Sequence, residues 1–346
     1  MKTQAALLVQ TGAPLVMAEL EIPALKQGQV LVEVAYSGAC GTQVMEWRGD
    51  KGEDKWLPHC LGHEGSGTVL ECGPAVTRVK PGEKVVLSWI KGGGIEAGGA
   101  SYTWDGKNVN AGGVTTFQRH AVVSENRLTK VPSGLGMDQA ILLGCAAPTG
   151  MGAIYNVLKA LPGESVAIFG CGGIGLNACM AAALTGAMPI LAIDPSPTRR
   201  ALAQTLGATH AIDPEAGDVL TQIRAIVPGG VDAAVEATGI SVVMAQAMDA
   251  TRAQGGRAVV IGNAKQGLTL TLNPGLFNQG KSLHGTWGGD SQPDRDYTRF
   301  GRLLASGRFD TRALLSAPYT LEQANDALTD LSMGKVGRPL IDLQAR

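Results

Sequence analysis

Between residues 164 and 262 the chain repeats one pattern, a short apolar run followed by a break and a longer mixed run. ESVAIFG (164–170), PILAID (189–194), THAID (209–213), VDAAVEATG (231–239) and GRAVVIG (256–262) read as strands. GIGLNACMAAALTG (173–186), SPTRRALAQTLG (196–207), DVLTQIRAIVPGG (218–230) and SVVMAQAMDATRAQG (241–255) read as the helices between them. Strands alternating with helices of about ten to fifteen residues argue for parallel βαβ units and a doubly wound sheet. The first strand runs straight into Gly170-Cys-Gly-Gly-Ile-Gly175, a G-x-G-x-x-G at a strand-to-helix junction. There Gly170 permits the tight turn and Gly172 lets backbone approach a pyrophosphate. Gly175 allows close helix–strand packing, and the helix N-terminus attracts the phosphates. An acid, Asp194, ends the next strand nineteen residues beyond Gly175. A carboxylate there accepts the ribose hydroxyls and repels a 2′-phosphate, which favours NAD over NADP. Arg199 and Arg200 follow closely enough to tolerate a phosphate, whereas Asp213 comes one unit too late and reads as a turn residue.

The flanking segments differ. Before residue 147, runs such as QVLVEVAYSG, GSGTVLECG and EKVVLSW are separated by Gly/Pro turns, the signature of a mostly antiparallel, partly barrel-like domain. After residue 287 come two amphipathic stretches, DYTRFGRLLASG and LEQANDALTDLSMG, and a last strand, RPLIDL. The expected division is a barrel-like domain from 1–147 and 287–346 around a dinucleotide-binding domain at 148–286. The glycine-rich stretch from Lys91 to Gly113 reads as a long irregular loop.

Twenty-nine Lys and Arg against 30 Asp and Glu leave no basic stripe, so nucleic acid and anionic membrane are poor candidate partners. The N-terminus lacks the apolar core of a signal peptide, and the most apolar run, Ala178–Ile193, is interrupted by Gly186 and Pro189. Six cysteines in 346 residues are too sparse for a disulfide scaffold, so a cytoplasmic protein with free or metal-bound thiols is expected.

Four potential metal ligands crowd the stretch HCLGHEG (59–65): His59, Cys60, His63 and Glu64. Cys40 in SGACGTQ and Cys145 in LLGCAAPTG are further candidates. A catalytic zinc takes three protein ligands and keeps one position open, but spacing alone does not connect these residues.

The runs GACGTQVMEWRGD, LGHEGSGTVLECG, KPGEKVVLSW, LLGCAAPTGMGA, GCGGIG and IDPSPTRR occur in this order along nearly the whole chain. In this the chain resembles the zinc-dependent medium-chain alcohol dehydrogenases, which join a GroES-like, partly barrel-shaped catalytic domain to a Rossmann domain. The resemblance implies zinc on Cys40, His63 and Cys145, with Glu64 beside the metal and able to ligate it transiently. It implies a catalytic Thr42 that hydrogen-bonds the reacting alcohol and starts a proton relay. Trp89, and more weakly Trp47, fall where the family places walls of the substrate pocket. Gly170, Gly172, Gly173, Ile174, Gly175, Asp194 and Arg199 become the expected cofactor contacts, with Thr238, Ile261 and Gly262 at later strand ends. Trp287, in the GTWGG loop, and Arg338, implied to contact the pyrophosphate, complete that set. His59, Cys60, Cys72, Cys171, Cys179, His120, His210 and His284 are read as structural.

The chain departs from the family at three places. The region that carries four closely spaced zinc-binding cysteines in many members has none here, so one zinc per subunit is expected. Gln43 stands where many relatives have an aspartate on the zinc-ligating histidine, and an amide adds no charge to that imidazole. Met45 stands where some relatives end the proton relay on histidine, so the relay must pass from Thr42 and the ribose hydroxyls to water or another group.

The expected activity is hydride transfer between an alcohol and NAD, giving an aldehyde or ketone, with polyols and sugar derivatives among the candidate substrates. A homodimer or homotetramer is expected on family grounds. Two other readings stay open to these residues: a zinc-free quinone or enone reductase of the same superfamily, and a non-catalytic NAD-binding sensor.

Overall fold

The computed structural model describes residues 1–345. Packing divides them into two compact units. One comprises Met1–Cys145, Gln292–Gly307 and residues 315–345, and the other Ala146–Ser291 and Arg308–Leu314. The junctions thus fall at 145 and 291 rather than 147 and 287, and the short segment 308–314 groups with the second unit.

The first unit holds a closed five-stranded barrel and a seven-stranded sheet. The strand Gln29–Gly38 organises the sheet, pairing antiparallel with Glu64–Cys72, with His120–Ser124 and with Leu340–Asp342. Its residues are almost all buried, because both faces are covered. Ala6, Val30, Val32, Val34, Leu87 and Phe117 form one core with the C-terminal helix Ala324–Ser332, and Ala5, Leu7, Leu20, Cys60 and Tyr102 form a second inside the barrel.

The stretch from Lys91 to Gly113 is not irregular throughout, which corrects the expectation from sequence. Ser101–Trp104 and Lys107–Asn110 form a hairpin that belongs to the barrel. Tyr102 and Val109 point inward and are fully buried. Asp105 and Gly106 make the turn with φ of 48° and 74°. An Asp-Gly pair between alternating residues is a strong hairpin signal, and it was obscured by the many glycines around it.

The second unit contains a six-stranded parallel sheet. Its order runs His210–Ile212, Ile190–Ile193, Val166–Phe169, Ala233–Glu236, Arg257–Val260 and Ser282–Gly285. The order reverses between Val166–Phe169 and Ala233–Glu236, so a crevice for a ligand lies beyond the carboxyl ends of those two strands. The apolar run Ala178–Ile193 is divided between the helix Gly173–Thr185 and the strand Ile190–Ile193. No single helix among the described residues is long and apolar enough to cross a membrane.

A candidate metal centre and a dinucleotide turn

Strand register brings distant residues together. Ser37 lies opposite Gly65, so the chain leaving the strand Gln29–Gly38 and the chain entering Glu64–Cys72 share one edge of the sheet. Cys40 follows the first strand and His63 precedes the second. Glu64 pairs in turn with Ser88, whose hydroxyl donates to the Gly144 carbonyl at 2.9 Å and holds the turn before Cys145. The Tyr297 hydroxyl, fully buried, contacts the same Ser88 oxygen at 2.6 Å.

The result is a cluster in which one ligand atom from each of Cys40, His63 and Cys145 lies within 4.8 Å of the others. Cys40 Sγ is 3.4 Å from His63 Nε2. Cys40 is also the N-cap of the helix Gly41–Arg48, and its sulfur accepts the Thr42 backbone N–H. A helix N-terminus favours a thiolate there. The hydrogen bond between the two sulfurs holds the Cys40 thiol well below its usual value and pushes that of Cys145 well above. A metal ion takes cysteine as the thiolate, so binding there releases the thiol proton. Burial disfavours a charged His63 imidazole, but the Cys40 thiolate outweighs it and raises the histidine.

Gln43 clamps the histidine from behind. One end of its amide accepts the Cys40 backbone N–H at 3.0 Å, and the other lies 2.5 Å from His63 Nδ1. Trp89 stands edge-on to His63, with ring centroids 6.4 Å apart.

Glu64 is fully buried beside the cluster. Arg338 Nη1 donates to its Oε1 at 2.7 Å and to the Ala39 carbonyl at 3.4 Å, while Glu64 Oε2 has no hydrogen-bond partner among the described residues. Burial raises the Glu64 carboxyl above its ordinary value, and Arg338 opposes that shift. The carboxylate is pinched between two glycines. A Cβ on Gly38 would stand 2.6 Å from Glu64 Oε1, and one on Gly144 would stand 2.6 Å from Glu64 Cβ. Two thiols, an imidazole and a buried carboxylate with one spare oxygen are a donor set that suits zinc.

The other candidates divide. Cys60 is buried in the barrel core, where burial alone drives its thiol far up. His59 Nε2 lies 2.8 Å from Asp54 Oδ2, a partnership with no pattern in the sequence to announce it. Trp47 gives its indole N–H to the Ala13 carbonyl at 2.8 Å and packs on the core. Thr42 sits in the first turn of the helix that Cys40 caps.

In the second unit the glycine turn joins the strand Val166–Phe169 to the helix Gly173–Thr185, as its role requires. A Cβ on Gly172 would meet nothing within 4 Å, which leaves open space in front of the turn. A Cβ on Gly175 would stand 1.8 Å from the Gly170 carbonyl oxygen. Asp194 Oδ2 accepts the Cys171 N–H at 2.8 Å and Oδ1 the Ser196 N–H at 2.9 Å, with Arg199 4.0 Å from Oδ2. Thr238 donates through its backbone N–H and its hydroxyl to the buried Glu236, and Ile261 and Gly262 follow the neighbouring strand. Gly173, Ile174 and Gly175 open the helix, and Trp287 is exposed after the last strand. These groups lie beyond the carboxyl ends of the parallel strands and fit a dinucleotide. Arg338 belongs to the first unit, and its Nη1 is given to Glu64 and Ala39.

Gly175→Ala is expected to force the turn apart, at a cost of about 1–3 kcal/mol in stability. NADH affinity is expected to fall more than tenfold, read by fluorescence titration; an unchanged affinity would remove the turn from the cofactor site.

The family described as "Alcohol dehydrogenase GroES-like domain" matches residues 26–133, and "Zinc-binding dehydrogenase" matches 173–306. The chain is 34% identical to a geraniol dehydrogenase of Castellaniella defragrans, over 98% of this chain and 97% of that protein. It superposes on an alcohol dehydrogenase zinc-binding domain protein from Burkholderia ambifaria with a TM-score of 0.92, at 32% identity and full coverage of both chains. The benzyl alcohol dehydrogenase of Acinetobacter calcoaceticus gives a TM-score of 0.90 at 30% identity, covering 99% of each chain.

Proposed function

The chain belongs to the zinc-type medium-chain alcohol dehydrogenases and is an NAD-dependent alcohol oxidoreductase, and from that premise we propose how its residues divide the work. Cys40, His63 and Cys145 hold the zinc, which when bound supplies a Lewis acid for the substrate oxygen. The glycine turn and Asp194 hold NAD, the hydride acceptor. The observation that carries this reading is the gathering of three ligand atoms from three separate segments within 4.8 Å.

Thr42, in the helix turn that begins at Cys40, takes the proton of the alcohol. Met45 cannot carry that proton further, so the relay beyond Thr42 would need water or another group. Gln43 fixes the orientation of His63 without adding charge to it. Trp89 closes one side of the histidine. The buried Arg338 keeps Glu64 in place beside the ligands.

The test is a panel of primary and secondary alcohols with NAD, followed by NADH absorbance, with zinc quantified on the same protein. One zinc per chain and turnover that a chelator abolishes are expected. A chain that carries one zinc and turns over no alcohol would defeat the reading.

We further propose that the protein works in the cytoplasm as a homodimer or homotetramer. Leu268, Leu270 and Phe277 stand exposed on one late segment of the second unit, and a second copy is the natural cover for them. Leu270→Arg is expected to halve the mass seen in sedimentation; a monomeric wild type would end this proposal.

A further inference from the structure

The first unit contains a cavity of roughly 770 Å³ whose wall includes His63 and Gln43. The segment 49–56 forms one side and the flanks of the hairpin, residues 99–101 and 110–115, form the other. That volume is far more than a two- or three-carbon alcohol needs, and it falls in the range of sites for drug-sized ligands.

The apolar wall comprises Trp56, Leu61, Ala100, Ala111 and Val114. Glu53, Lys55 and Ser101 stand exposed at the solvent side of the wall, and the other polar residues on it are already engaged. Glu46 is paired with Lys51 at 2.7 Å. Asp54 accepts from the Trp56 N–H at 2.9 Å and is paired with His59 at 2.8 Å. Asn110 Nδ2 donates to the Trp56 carbonyl at 2.8 Å, and the Gln43 amide is held between Cys40 and His63. A ligand hydroxyl gains little from a group that must first break an existing hydrogen bond. A hydrocarbon surface gains from every apolar atom it covers. Trp56 rewards such a ligand most, because its indole is 69% exposed in the protein alone. The bonds from Asp54 and Asn110 meanwhile fix the backbone beneath it.

From this largely engaged polar wall and uncovered indole, we infer that the cavity takes the hydrocarbon tail of the alcohol, aromatic or branched, rather than a polyol or sugar derivative. Trp56 is the specificity-determining residue that packs against that tail. The inference rests on the alcohol dehydrogenase reading, which supplies the reacting oxygen at the neighbouring metal centre.

The test compares kcat/KM for cinnamyl alcohol, ethanol and glycerol in the zinc-loaded enzyme, its Trp56→Ala variant and its Ala111→Phe variant. Cinnamyl alcohol is expected to exceed ethanol and glycerol by roughly 30-fold or more, the order expected for burying one phenyl ring. Trp56→Ala should lower the cinnamyl-to-ethanol ratio about tenfold, chiefly through KM. Ala111→Phe, which fills the space, should lower it at least as far, with circular dichroism and zinc content establishing that the variant folds. Saturation-transfer NMR on metal-free protein gives a second readout: cinnamyl alcohol should contact the wild type and lose that contact in Trp56→Ala. A preference for glycerol, or a ratio unmoved by both substitutions, overturns the inference while leaving the dehydrogenase reading intact. Binding of cinnamyl alcohol through Trp56 without turnover of any alcohol supports the cavity assignment and defeats the dehydrogenase reading instead.

Discussion

Cys145→Ser is expected to lose the zinc and to lower kcat/KM for any alcohol substrate by roughly 1,000-fold or more. A Lewis acid contributes several kcal/mol to the stabilisation of charge developing on oxygen, and each 1.4 kcal/mol is tenfold. The loss follows from geometry. Only three side chains of the cluster supply ligand atoms within 4.8 Å of one another, and Cys145 is one of them. His63→Ala is expected to behave alike, since no second imidazole stands in that cluster among the described residues. Cys60→Ser supplies the contrast. Although Cys60 is three residues from His63, its side chain belongs to the barrel core, so one zinc per chain should remain. Metal content by mass spectrometry and steady-state rates decide the matter together. A Cys145→Ser protein that keeps both its zinc and its rate would take the metal centre away from these residues.

Arg338→Met is expected to destabilise the first unit by about 3–5 kcal/mol, because it leaves the Glu64 carboxylate buried without its partner. The side chains of Arg338 and Glu64 are 3% and 0% exposed. Gly38 and Gly144 close on Glu64 from two sides, so it cannot swing toward water. Adding Glu64→Gln should recover most of the stability, since an amide tolerates burial without a counter-charge far better than a carboxylate. Denaturant unfolding of the two singles and the double isolates the pair. A single Arg338→Met variant as stable as the wild type would show that Glu64 already carries a proton and needs no partner.

The second unit is legible in the sequence because its signals are local. Five of its six strands end short runs that close on a glycine or an acid, whereas the sixth, Ser282–Gly285, is too short and polar to stand out. The turn at 170–175 carries its steric reason in three glycines. The first unit is less so. Its hairpin at 101–110 announces itself through Asp105-Gly106, but the thirteen other residues of 91–113 include seven glycines and disguise the alternation around Tyr102 and Val109. Cys40, His63 and Cys145 are visible as residue types, whereas the register that sets Ser37 against Gly65 is a property of the folded sheet. The partners Asp54–His59 and Glu64–Arg338 have no sequence pattern at all. Arg338 lies 274 residues from Glu64, and the strand pairing of Leu340 with Gly38 delivers it. Trp56 reads as one aromatic in a charged run until the cavity beside it is seen.

The three sulfur and nitrogen ligands stand 23 and 82 residues apart along the chain. An unfolded chain pays a loop-closure penalty for each of those separations before it can surround a cation. A lobe of closely spaced cysteines escapes that penalty and can capture metal while still disordered. This protein should therefore take up zinc late, after its sheet has formed, and discriminate strongly between its native and denatured ensembles. Thermal midpoint then becomes a titration of free zinc, rising with the logarithm of its concentration once the site's dissociation constant is passed.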